Sequence, residues 1–176
     1  MKRKIAPGQI YGVPLKSGGY APGLITRVQP RSRMPGVMMC FFNRYFPDIP
    51  TMDDVGLVTY KDVTHIFRVG ALGIKEEKWP FIGELKKFKL EEWPVPLFFR
   101  IDSVHGFVTI VEFDDVDPMK RFREQRVDSS FNIEGLPLDS LAGAEAIEIK
   151  LALFFQNHGP IIPLWRRWKF NRSVLK

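Results

Sequence analysis

"GVPLKSGGYAPGLI", residues 12–25, sets four glycines and two prolines around a Lys16-Ser17 pair. Two readings compete for it, a phosphate cradle and a tight hairpin. A P-loop runs glycine, four residues, then Gly-Lys-Ser/Thr, and opens a helix whose amides face the phosphate. Here Lys16 and Ser17 precede Gly18, and Tyr20 stands where the dinucleotide pattern G-x-G-x-x-G needs glycine. The residues beyond Gly23 are β-prone rather than helix-opening. Gly18 and Gly19 take positive φ at no steric cost, which suits a turn between two strands. The stretch therefore reads as a hairpin, with "QIYGVPL" (9–15) and "YAPGLITRV" (20–28) as its strands.

Working outward, "QPRSRMPG" (29–36) is a basic, proline-bearing loop, and "VMMCFF" (37–42) is an apolar run that suits a strand buried on both faces. "VTHIFRVGALGI" (63–74) reads as a strand pair, or a strand broken at Gly70 and Gly73. "WPVPLFFRI" (93–101) ends in a short strand, and "GFVTIVEF" (106–113) is the clearest strand, with Val108, Ile110 and Phe113 inward. Asp117 is expected to cap a short helix with Pro118 at its first position, ending near Arg126. Residues 139–157 send conflicting signals. Asp139 as a cap and His158-Gly159 as a stop favour a helix, whereas Ile147, Ile149, Leu151 and Leu153 alternate as in a strand. Length and alanine content favour the helix. The expected class is α+β: a mainly antiparallel, strongly bent sheet or partial β-barrel with one longer helix near the C-terminus. One domain is expected over 1–176, with a basic lead (1–5), a core (6–157) and a basic, Trp-containing C-terminal segment (158–176).

A chain of 176 residues is long enough to bury a sizeable core without a metal or disulfide staple. Cys40 is the only cysteine, so no internal disulfide forms, which suits a reducing compartment. The start is basic but lacks an apolar signal region, and no stretch is long and apolar enough to span a membrane, so the cytoplasm is expected. The net charge of +6 is unevenly spread. The eight basic side chains of residues 2–4 and 166–176 leave residues 5–165 with 18 basic against 20 acidic. The sequence thus shows no basic stripe of the kind that tracks phosphates.

The chemistry-bearing residues do not form a recognisable catalytic set. His65, His105 and His158 lie far apart without cysteine or aspartate at ligand spacing, which makes a poor zinc site. Cys40 sits in an apolar run and reads as core, not as a nucleophile. Glu112, Asp114, Asp115 and Asp117 lack the glycine-bearing loop of a calcium site and read as a solvated strand end with a helix cap. Ser129 and Ser130 have no nucleophile elbow around them. No catalytic residue, cofactor or metal is expected. The C-terminal "WRRWKF" has the residue types of a binding hot spot, or of a tail folded over the core.

Two stretches together resemble a known family. "PGQIYGVPLKSGGYAPGLITRV", through Gly8, Tyr11, Val13, Pro14, Leu15, Gly19, Tyr20 and Gly23, is similar to the opening of the bacterial polymorphic-toxin immunity proteins called immunity protein 26. "KWPFIGEL", through Trp79, Phe81, Ile82 and Gly83, and the following "PLFFRID" resemble its next segments; the likeness covers about residues 3–115. The resemblance implies a cytoplasmic protein that binds a cognate toxin domain and neutralises it, with no catalytic residues to carry over. From residue type alone, the expected partner-binding residues are Tyr20, Arg27, Trp79, Asp114, Asp115 and Asp117, taken as exposed. The alternatives are a nucleic-acid-binding module using the basic termini, and a hydrolase in which His65, His105 or the 112–117 carboxylates converge. The toxin's activity and the oligomeric state are left open.

Overall fold

The hairpin forms as its glycines predict. In the computed structural model, which describes residues 3–157 except 103 and 129, strand β1 (Gln9–Pro14) pairs antiparallel with β2 (Tyr20–Val28), Pro14 opposite Tyr20 and Ile10 opposite Leu24. The turn closes through Leu15 N–H to Gly19 O (2.9 Å) and Gly18 N–H to Leu15 O (2.9 Å), with φ of +92° at Gly18 and +74° at Gly19. Lys16 reaches from this turn to Glu145 (3.2 Å) and Glu148 (3.4 Å) on the late helix. The lysine that suggested phosphate is a tie between hairpin and helix.

Strand β3 (Gly36–Phe42) is buried at every residue. Its neighbours are β2 and β4 (Val63–Gly70); β1 carries β5 (Phe81–Glu84) on its other side. A two-residue strand β9 (Leu141–Ala142) runs parallel to β4, giving the order β5-β1-β2-β3-β4-β9. Strands β6 (Leu97–Ile101), β7 (Val108–Phe113) and β8 (Arg121–Val127) form a second, antiparallel sheet. Short helices α1 (Met52–Val55) and α2 (Leu72–Lys75) precede the 14-residue α3 (Ala144–Asn157).

The six-stranded sheet is covered on both faces. Val37, Met39 and Phe41 of β3 join Ile25, Val69, Trp79, Ile147 and Leu151 on the α3 side. Met38, Cys40 and Phe42 join Ile10, Leu24, Phe98, Val111 and Phe113 on the side of the second sheet. Each such side chain contributes about 1.5–3 kcal/mol on burial, so β3 is the most heavily stabilised strand. The outer face of the second sheet holds a smaller cluster of Leu97, Ile110 and Leu136.

The class is α+β, mainly antiparallel, with one longer helix late in the chain. The sheet stays open, with β5 and β9 at its edges, so no barrel closes. Register shifts at Ile10/Tyr11, Ile25/Arg27 and Phe41/Phe42 bend it. The conflict over residues 139–157 resolves as a helix that starts late: Ile147 and Leu151 are buried, whereas Ile149 and Leu153 are 43% and 52% exposed. Asp139 does not cap it. Its carboxylate is drawn inside by Arg68, with Arg121 at 3.3 Å, and the helix begins only at Ala144. The helix expected after Asp117 is absent. Asp114 accepts the amides of Val116 (2.9 Å) and Asp117 (3.0 Å), Asp117 accepts that of Met119 (2.9 Å), and these bonds close a turn into β8. The segment 70–74 also departs from a second strand, because α2 follows Gly70 directly. Among the described residues no helix is long and apolar enough to cross a membrane.

Candidate functional site

A concavity opens on the α3 side of the six-stranded sheet, beside the open end of the β1–β2 hairpin. It has a volume of about 1250 Å³. One wall is the N-terminal lead with Arg3 and Lys4, the second is the β2–β3 loop with Arg31, and the third is α2 and its exit with Lys75 and Glu77. Tyr11, Trp79, Pro80 and Phe81 lie beneath.

Each wall is held in place by the chain's own polar groups. Gln9 fixes the lead: its Oε1 accepts from Ala6 N–H (3.1 Å), and its Nε2 donates to Lys4 O (3.0 Å) and to Glu84 Oε1 (3.1 Å). Tyr11 Oη–H donates to the same Gln9 oxygen (3.0 Å), and burial raises its pKa, so the phenol stays a donor. Arg3 lies over the Phe81 ring (3.6 Å to its centre) and beside Glu84 (3.6 Å). The β2–β3 loop closes through Gln29 N–H to Gly36 O (2.8 Å) and Gly36 N–H to Gln29 Oε1 (3.1 Å). Lys75 Nζ donates to Arg33 O and latches α2 to this loop.

Backbone strain concentrates at the same place. Among the described residues, the non-glycine positions with positive φ are Arg31 (+57°) and Glu77 (+59°), and both line the groove. A residue other than glycine in this region costs about 1–2 kcal/mol. Such strain persists where the surroundings over-determine it, commonly at ligand clamps.

The six residues expected at an interface are placed differently. Trp79 is 1% exposed; its indole forms part of the groove's base and donates to Glu148 Oε1 (3.0 Å). Arg27 is 3% exposed and lies between the two sheets. Its guanidinium donates to the carbonyls of Asp115, Thr26 (3.0 Å) and Leu90 (3.4 Å), and burial lowers its pKa. The expectation that both are surface groups is therefore corrected: apolar packing claims the indole, and backbone carbonyls claim the guanidinium. Asp114 and Asp117 shape the β7–β8 turn, with amides from Asp117 and Val116 holding Asp114 down at about 2. Asp115 is exposed and gives its carbonyl to Arg27. Tyr20 is half-buried at the opposite end of the hairpin from the groove. Only Trp79 of the six lines the groove.

The groove residues that the sequence reading missed are Arg3, Lys4, Arg31 and Lys75. The signals of the first three were the basic lead and "PRSR" at 30–33, which the 20-residue hairpin of residues 9–28 brings together. The other candidates stay apart. His65 packs against Phe154 on α3 (ring centres 3.9 Å), and His105 pairs with Asp102 in the β6–β7 turn (3.2 Å). Cys40 is buried between the sheets, and desolvation pushes its thiol up to about 12. Among the described residues no three His, Cys, Asp or Glu side chains gather as a metal site. His158 and the "WRRWKF" segment lie outside the described residues.

The family model described as immunity protein 26 matches residues 6–106. No curated protein and no solved structure matches the chain. The matched span holds β1 through β6 and all of the groove except the first residues of its N-terminal wall. With more than half of its length inside that match, this chain belongs to the immunity protein 26 family.

Proposed function

We propose that the chain is an immunity protein in the working sense: it binds a cognate toxin domain in the cytoplasm and blocks it stoichiometrically. The observation that carries this is the family match over residues 6–106. The structure supports it with a braced, concave surface that lies mostly inside that span and carries basic and apolar side chains able to meet a protein segment. Nucleophile activation would require a base at Cys40, which is instead buried and neutral.

The test is co-expression of this chain with candidate toxin domains taken from the genes that flank its own, with growth as the readout and co-purification as the control. Rescue of growth together with a recovered one-to-one complex is expected. Rescue without a complex, or a failure to rescue with both proteins present and soluble, overturns the reading.

A further inference from the structure

The groove's charge and strain say more than that a protein binds. Its rim carries four basic side chains, Arg3, Lys4, Arg31 and Lys75, against one acidic side chain, Glu77. Arg3 is shared with Glu84, whereas Lys4 and Arg31 are exposed and make no ion pair among the described residues. Ile5, Pro7 and Pro30 make the walls apolar below the charges, and the base holds Pro80 and Phe81 over the buried Tyr11 and Trp79. Resting on the reading of the chain as a toxin-binding protein, we infer that this groove is the toxin-binding face and that its occupant is an acidic segment of the toxin, lying along the apolar base with its carboxylates toward Lys4 and Arg31.

Charge decides among occupants. The chain's own residues 158–176 carry five basic and no acidic side chains, so they would place like charge against a basic rim. A second copy of the groove would do the same. A nucleic acid would satisfy the charge, but Tyr11 and Trp79 are buried in the base and Phe81 already carries Arg3 on its face, so the groove offers a single strand no series of free stacking surfaces. The strain at Arg31 supports a binding role from a separate direction. Glycine would relieve it, so an arginine at this position trades stability for a positive charge held at the rim.

The experiment measures affinity of the full chain for the toxin domain that the co-expression test identifies. The variants are Lys4→Glu with Arg31→Glu, Arg31→Gly alone, and Lys61→Glu as an exposed control outside the groove. The double reversal is expected to weaken binding at least about tenfold, while Lys61→Glu changes it little. Arg31→Gly is expected to weaken binding while thermal stability holds or rises, which separates loss of contact from loss of fold. If wild-type binds and the reversal binds equally well, the groove assignment is overturned and the toxin-binding reading stands. If wild-type does not bind at all, both fall.

A second arm replaces Phe81 with p-benzoylphenylalanine and irradiates the protein with and without toxin. Crosslinks to an acidic stretch of the toxin support the inference. Crosslinks to residues 158–176 or to a second copy that persist with toxin present overturn it. Tight binding of labelled single-stranded DNA or RNA at physiological salt, lost in the double reversal, overturns it in favour of a nucleic acid.

Discussion

Gly18 and Gly19 sit side by side, both at positive φ, yet they should respond very differently to alanine. Gly18 has φ +92° and nothing within 4 Å of where a Cβ would stand. Gly18→Ala therefore costs only the backbone term, about 1–2 kcal/mol. Gly19 has φ +74°, and its Cβ would meet Tyr45 Cε2 at 2.5 Å and the Phe46 carbonyl oxygen at 2.6 Å. The tyrosine ring can swing aside. The carbonyl cannot, because Tyr20 N–H donates to it at 2.7 Å and Phe46 N–H returns to Tyr20 O at 3.0 Å. Overpacking of this kind adds about 1–3 kcal/mol, so Gly19→Ala should cost about 2–5 kcal/mol in total. For a chain of this size 1 kcal/mol moves Tm by about 2–4 °C, which predicts a fall of about 2–8 °C for Gly18→Ala and about 4–20 °C for Gly19→Ala. Thermal unfolding followed by circular dichroism on both variants in parallel measures the difference. Equal losses in the two variants would refute the turn geometry on which the hairpin rests.

Three further outcomes follow from the interior and its charges. Asp139 is buried beside Arg68, and Arg100 and Arg121 also have Glu124, so Asp139→Ala leaves the buried Arg68 without its counter-charge and should cost about 3–5 kcal/mol, read from urea unfolding. Asp114 has its carboxyl held down at about 2 by two backbone amides, below the ordinary aspartate value. Its contribution to stability is thus fully present above about pH 4 and is lost as pH falls toward about 2. Asp54, Asp102 and Asp128 are lowered in the same sense, so Asp114→Asn should flatten, without abolishing, the acid limb of a stability-against-pH curve. Cys40, buried and pushed up to about 12, should react with a thiol reagent at neutral pH only at the rate of global unfolding, and rapid labelling of the native protein would contradict its placement.

The hairpin, the doubly buried β3 and the late helix were legible because each leaves a local signature: turn glycines, an unbroken apolar run, and length with alanine content. Strand β8 was not. Its sequence "RFREQRV" is charged because it is an edge, where like charges guard against pairing with other chains, and that charge hides the strand from an apolar pattern. Asp117-Pro118 looked like a helix start because the same side-chain chemistry that caps helices also closes turns. Asp139 misled for a related reason, since its partner Arg68 lies 71 residues away and no local rule sees it. The groove was legible only in pieces. Arg3, Lys4, Arg31 and Lys75 belong to three separate segments, and only the pairing of β1 with β2 and the latch from Lys75 to the β2–β3 loop set them around one concavity. Trp79 was singled out as a binding residue and does line the groove, but from below, as part of the core.

The central proposal, that this chain neutralises by binding, is met most directly by titrating the purified chain into a fixed amount of the toxin domain that the co-expression test identifies and following the toxin's own activity. Neutralisation by binding predicts a linear fall that ends at one equivalent and does not deepen with time. Activity that persists past one equivalent, or that disappears progressively with a small fraction of an equivalent, would contradict it.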